Sequence, residues 1–159
     1  MNTTPNRALE SAARRPLAAR YAAVRQASLD LAAPLSPEDC QLQSMADASP
    51  TKWHLAHITW FFETFLLERF EAGFAAFDPA FRVLFNSYYQ GVGAQHPRAQ
   101  RGLVSRPALA EVMRYRANVD ERMRALLAAR GGETEIESLV VLGLQHDAEV
   151  AVVLELLDA

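Results

Sequence analysis

Two of this chain's four histidines fall on apolar helical stripes, and that placement is where chemistry first becomes legible. His54 and His57 are three residues apart, so on a helix they project from neighbouring faces and form a candidate ligand pair. His146 lies on another stripe far along the chain. Metal sites in helical bundles gather donors from facing helices, which makes His146 the available partner. Glu149, three residues after His146, falls on roughly the same face, whereas Asp147 points further away. The spacing thus permits two histidines and one carboxylate, the set that suits non-haem iron. A histidine on a buried face also serves as a hydrogen-bonded core residue, and both readings stand. His96 adjoins Pro97, with Arg98 and Arg101 close by. These arginines are either solvated surface charges or a carboxylate clamp at a pocket mouth, because guanidinium offers two parallel donors.

Four helices must position these groups. Leu17, Tyr21, Val24, Ser28 and Leu31 alternate spacings of four and three over residues 17–32, with Pro16 just ahead. Residues 34–49 read as a connection with a short helical turn. The second helix starts near Pro50 and runs to about Phe70, with Trp53, His57, Trp60, Phe61 and Thr64 on its inner stripe. Trp60, Phe61, Phe62 and Phe65 read as core. Residues 71–105 lose periodicity. Their Phe77, Phe81, Phe85, Tyr88 and Tyr89 argue for an ordered loop packed on the bundle. The third helix begins after Ser105, a plausible N-cap, with Pro107 in its first turn, and ends before Gly131 and Gly132. Leu109, Val112, Arg116, Val119, Met123 and Leu126 form its seam. The fourth, residues 133–157, presents Ile136, Leu139, Val140, Gly143, His146, Val150, Val153, Leu154 and Leu157. The expected fold is an all-α four-helix bundle with a long ordered loop between its second and third helices.

Composition agrees with one folded domain over residues 1–159. Half of the residues are apolar and 22% are charged, the balance of a globular protein. A net charge of -3, with no basic cluster beyond Arg14, Arg15 and Arg20, excludes a phosphate-tracking surface and hence nucleic acid. Cys40 is the only cysteine, so no intrachain disulfide forms and a reducing compartment is expected. Met1 to Arg15 contains no apolar signal segment, and the longest apolar run, Ile58 to Leu67, is interrupted by Glu63. Cytoplasmic residence without a membrane span is therefore expected.

Four separated blocks, in order, carry a resemblance. They are Ser49-Pro-Thr-Lys-Trp-His-Leu-Ala-His-Ile-Thr-Trp-Phe-Phe-Glu-Thr64, Phe85-Asn-Ser-Tyr-Tyr-Gln-Gly-Val-Gly93, His96-Pro-Arg98 with Arg101-Gly102, and Gly143-Leu-Gln-His146. Together they resemble the N-terminal DinB-like domain of the ergothioneine-pathway sulfoxide synthases, also called hercynine oxygenases, over about residues 17–146. The resemblance implies a mononuclear non-haem Fe(II) held by three histidines. His57 and His146 match two of them, and the third position falls on Val150, which has no lone pair. Glu149 stands where relatives have a glutamine of the sulfur-acceptor pocket. Arg98 and Arg101 match residues that hold carboxylates of the thiol substrate.

By the same resemblance, the reaction joins a cysteine-containing thiol to trimethylhistidine with dioxygen and leaves a sulfoxide. Relatives continue into a C-terminal domain resembling formylglycine-generating enzyme, which supplies a catalytic tyrosine and is absent from this sequence. The bundle alone is accordingly expected to be catalytically incomplete, working with a separate polypeptide or as a homodimer. Two alternatives stay open. One is a non-catalytic DinB-like binding or structural module whose metal site has decayed, with both histidines serving as core residues, and the other is a metal-dependent thiol transferase of another kind. In the iron reading Glu149 is the candidate to replace the lost histidine.

Overall fold

A computed structural model describes residues 16–87 and 89–157 of the chain. Tyr88 lies outside the described residues, as do Met1 to Arg15, and the side chains of Val150, Val153, Leu154 and Leu157 lie outside those described. Among the described residues there are helices and no strands. The elements are α1 (Leu17–Ala32), α2 (Pro37–Gln41), α3 (Thr51–Phe62), a π-helical turn (Glu63–Leu67), α4 (Glu68–Phe70), α5 (Phe81–Leu84), two 3-10 turns (Gln90–Val92 and Arg98–Leu103), α6 (Leu109–Arg130) and α7 (Thr134–Leu157).

Four long helical stretches share one core. α1 packs mainly on α7, and α3 packs on both α6 and α7. α3 is apolar on nearly every face, and Trp53, Leu55, Ala56, Ile58, Trp60, Phe61 and Phe62 are all buried. A helix buried all round is the central element of its fold. Its expected stripe is therefore only part of what it contributes. Burying each large apolar side chain contributes roughly 1.5–3 kcal/mol, so α3 anchors the molecule.

Helix ends follow from local chemistry. α2 begins with a capping box in which Ser36 Oγ accepts from the Asp39 N–H and the Asp39 carboxylate accepts from the Ser36 N–H, satisfying two orphan donors. α6 begins at Leu109, with Ala108 at its N-cap and no side-chain cap. The expected start after Ser105, with Pro107 in the first turn, is corrected by a few residues. Ser105 lies three residues before the N-cap Ala108, and its carbonyl accepts from Lys52 Nζ at 3.5 Å. α1 also departs from expectation by one position. Tyr21, Arg25, Ser28 and Ala32 are its buried residues, while Val24 and Leu31 sit at the margin.

The segment between α4 and α6 is ordered, as its aromatic content implies. Phe81 and Phe85 are buried in the core, with Phe77 and Tyr89 packed against it. Asn86, fully buried, shapes the next turn. Its side-chain N–H groups donate to the carbonyls of Tyr89, Gly93 and Ala94, and its oxygen accepts from the Tyr89 N–H. Gly93 takes φ of 129° there, a conformation that disfavours any side chain.

Candidate functional site

The site grows from one face of α3. The last carbonyls of a helix have no partners within it, and those at the end of α5 meet ring N–H groups from α3. Trp60 Nε1 donates to the Arg82 carbonyl at 3.2 Å and Trp53 Nε1 to the Leu84 carbonyl at 3.0 Å. His57 Nδ1 lies 2.6 Å from the Phe85 carbonyl oxygen. A carbonyl only accepts, so Nδ1 carries the proton and Nε2 keeps its lone pair. The sequence positions 53, 57 and 60 on one helical stripe thus become a row of donors that holds the loop and fixes a histidine tautomer together.

The free nitrogen of His57 faces α7. His57 Nε2 and His146 Nε2 are 2.8 Å apart, with the rings perpendicular. His57 is buried and His146 is partly exposed. Burial drives the His57 pKa down to about 3, opposed by the bond to Phe85 and reinforced by His146. Burial also lowers His146, opposed by Glu149 and Asp147. Both rings are neutral at pH 7, the form in which imidazole binds a metal.

His57 stacks between two indoles, 4.7 Å from Trp53 and 5.5 Å from Trp60. The Arg101 guanidinium lies 3.5 Å from the centre of the Trp53 ring, a cation–π contact. Arg101 is buried, and it donates to Ser49 Oγ at 2.8 Å. Its Nε is buried without a hydrogen-bond partner. Burial, and then the neighbouring Arg98, brings Arg101 down to about 10, so it remains a cation. Arg98 is exposed. His54, one turn before His57, has a buried Nδ1 with no partner. Its pKa falls to about 4 through burial, then through Arg101, His146 and Arg98.

The expected residues therefore separate into groups. His57 and His146 meet directly, and Arg101 joins them through Trp53. His96 does not join them, since its Nε2 faces the Gln100 carbonyl at 3.3 Å and serves the 3-10 turn. Glu149 is exposed on α7. Asp147 does not join the pair, in keeping with its place off the His146 face; it is fully buried and paired with Arg25 at 3.3 Å. Trp53, Ser49 and the Phe85 carbonyl were not read as site groups. A backbone carbonyl has no sequence signal at all, whereas Ser49 and Trp53 lie within the block that contains His57.

Geometry tests what the pair could hold. Two ligands bonded at about 2.1 Å and at right angles stand about 3.0 Å apart. The observed 2.8 Å between the two Nε2 atoms fits adjacent positions on one ion. Among the described residues, no group of three or more His, Cys, Asp or Glu side chains is arranged to hold a metal. The two neutral imidazoles, joined here by an Nε2–Nε2 hydrogen bond, thus lie beside a buried cation whose Nε lacks a partner.

The molecule is an all-α bundle with paired histidines on its second and last long helices. The DinB superfamily model matches residues 20–149, and the chain belongs to the DinB superfamily. No curated protein matches the chain. No described helix is long and apolar enough to cross a membrane.

Proposed function

We propose that this bundle is the iron-binding half of an oxygen-dependent sulfoxide synthase of the ergothioneine type, with His57 and His146 as its protein ligands. The observation that carries the reading is the 2.8 Å approach of the two Nε2 atoms, with His57 locked by Phe85 in the tautomer that presents a lone pair. Fe(II), when bound, supplies the redox chemistry needed to join a thiol sulfur to a carbon of trimethylhistidine.

The chain's own residues bind and orient in this reading. Arg101, with its unpartnered Nε, and the exposed Arg98 donate to carboxylates of the thiol substrate. Guanidinium suits that task because its donors match the carboxylate oxygens. Trp53 and Trp60 keep water from the two faces of His57. With two protein donors among the described residues, affinity for iron is modest, and a second polypeptide surface completes the pocket on the side where Arg98 is exposed and His146 partly so.

The test is thermal unfolding under anaerobic conditions with and without Fe(II), alongside metal analysis. A ligand that binds only the folded state raises the melting temperature, by about 2.7 kcal/mol of stabilisation at a hundredfold excess over Kd. The wild-type chain should gain that shift, and His57→Ala should lose it. A second reading is favoured by the lack, among the described residues, of a third donor grouped with the pair. In it, His146 Nε2–H simply donates to His57 Nε2, and the pair is a buried hydrogen bond of a non-catalytic module. No metal-dependent shift in either protein would establish that reading and end the first.

A further inference from the structure

We propose that Arg25 positions the histidine pair, acting as a clamp between the helices that carry the two rings. The inference goes beyond the metal reading and does not depend on it, since it concerns the contact between His57 and His146 in the metal-free chain.

A single guanidinium on α1 reaches all three other long helices. Its Nε donates to Asp120 Oδ1 of α6 at 2.8 Å, one terminal nitrogen to Thr59 Oγ1 of α3 at 2.8 Å, and the other to Asp147 Oδ2 of α7 at 3.3 Å. Thr59 lies two residues beyond His57, and Asp147 directly follows His146. Every group at the two inner contacts is buried. The Thr59 hydroxyl donates to the Leu55 carbonyl at 2.9 Å, which leaves its oxygen free to accept from Arg25. Asp120 is held in turn by the Tyr21 hydroxyl at 2.6 Å. The guanidinium carbon also lies 5.5 Å from the centre of the Phe62 ring. Its orientation is therefore fixed on several sides.

This arrangement constrains the quantities the histidine contact depends on. The hydrogen bond to Asp147 sets the rotation of α7 about its axis, and the bonds to Asp147 and Thr59 from one guanidinium together set the distance from α7 to α3. Rotation of α7 by one residue would swing His146 away from His57. Lysine cannot replace this geometry, because a compact ammonium lacks the planar fork that spans three separate acceptors.

Histidine side-chain nitrogen spectra of the labelled, metal-free full chain at neutral pH test the proposal. In the wild type, His57 should be protonated at Nδ1 alone, and the His146 Nε2 proton should be protected from solvent exchange by its bond to His57. Arg25→Lys should cut that protection at least tenfold while His57 keeps its Nδ1 proton. Arg122→Met, which removes an arginine bound to Glu71 on another side of the bundle, should lower the melting temperature yet leave the His146 proton protected. Protection within twofold of wild type in folded Arg25→Lys overturns the proposal, as does a wild type without a protected proton. If Arg25→Lys fails to fold, Thr59→Val and Asp147→Asn take its place, and unchanged protection in both overturns it equally. Absence of iron binding would leave the clamp standing, whereas iron binding with undiminished protection in the Arg25 variant would remove the clamp alone.

Discussion

At the scale of single residues, burial decides which protonation states the site can adopt. His54 and His57 have folded pKa values of about 4 and about 3, against about 6.5 in an unfolded chain. Their folded values are depressed, so the unfolded chain binds protons that the native chain refuses. The stability they contribute is fully present above about pH 6.5 and declines as pH falls towards the folded values, at about 1.4 kcal/mol per pH unit for each ring. Denaturant unfolding of metal-free protein between pH 7 and 4 should show this steep acid limb, and His54→Gln should flatten it by about one proton. An identical slope in that variant would refute the assignment. The pairing of His57 with His146 was legible because both interrupt apolar stripes at helical spacing. The burial of Asp147 was not legible, for an equally physical reason. A carboxylate is expected outside unless paired, and its partner Arg25 lies 122 positions away, beyond anything periodicity can show.

At the scale of elements, close approach of helices is the limiting condition. Gly143 lets α7 lie against α3, and a Cβ there would come within 2.6 Å of Phe62 Cε1 and 2.9 Å of Phe61 Cε1. Gly→Ala in a helix ordinarily gains about 0.5–1 kcal/mol, but forcing extra volume into a packed core costs about 1–3 kcal/mol. Phe61 and Phe62 are buried and have little room to give. Gly143→Ala should therefore lower stability by about 1 kcal/mol or more, measured by denaturant titration, and a stabilised variant would show that the helices can move apart. The long helices were readable from the sequence because their periodicity persists over several turns. Elements as short as α5 and the 3-10 turns span too few turns to show a periodicity, so the loop could be seen as ordered while its internal shape could not. The π-helical turn was hidden for a similar reason. Its Glu63 accepts from the Tyr115 hydroxyl at 2.5 Å and from the Phe77 N–H at 2.8 Å, partners supplied by α6 and by the loop.

At the scale of the whole molecule, the core is polar as well as aromatic. Arg25, Arg116 and Asp147 are all buried where the long helices converge. Tyr21, Asp120 and Asp147 outweigh the burial of Arg25 and keep it above its ordinary pKa, so it is a cation throughout the working range. Arg116 is brought down to about 9 by burial and by Arg25, and it donates to the carbonyls of Leu55 and Arg25 and to Ser28 Oγ. Charges buried in this way are weak contributors to net stability when intact, but removing one partner strands the other, at about 3–5 kcal/mol. That asymmetry makes a double-mutant cycle informative. Arg25→Met strands Asp147 and should destabilise the bundle by about that amount, whereas Asp147→Leu leaves Arg25 paired with Asp120 and should cost less. The double variant removes both charges together, so its loss should be smaller than the sum of the singles by at least about 1 kcal/mol. Asp120 limits the recovery, since it too loses Arg25 and keeps only the Tyr21 hydroxyl. Strict additivity in equilibrium unfolding would mean that the two side chains do not act on each other, and that α7 is held in register by its apolar contacts alone.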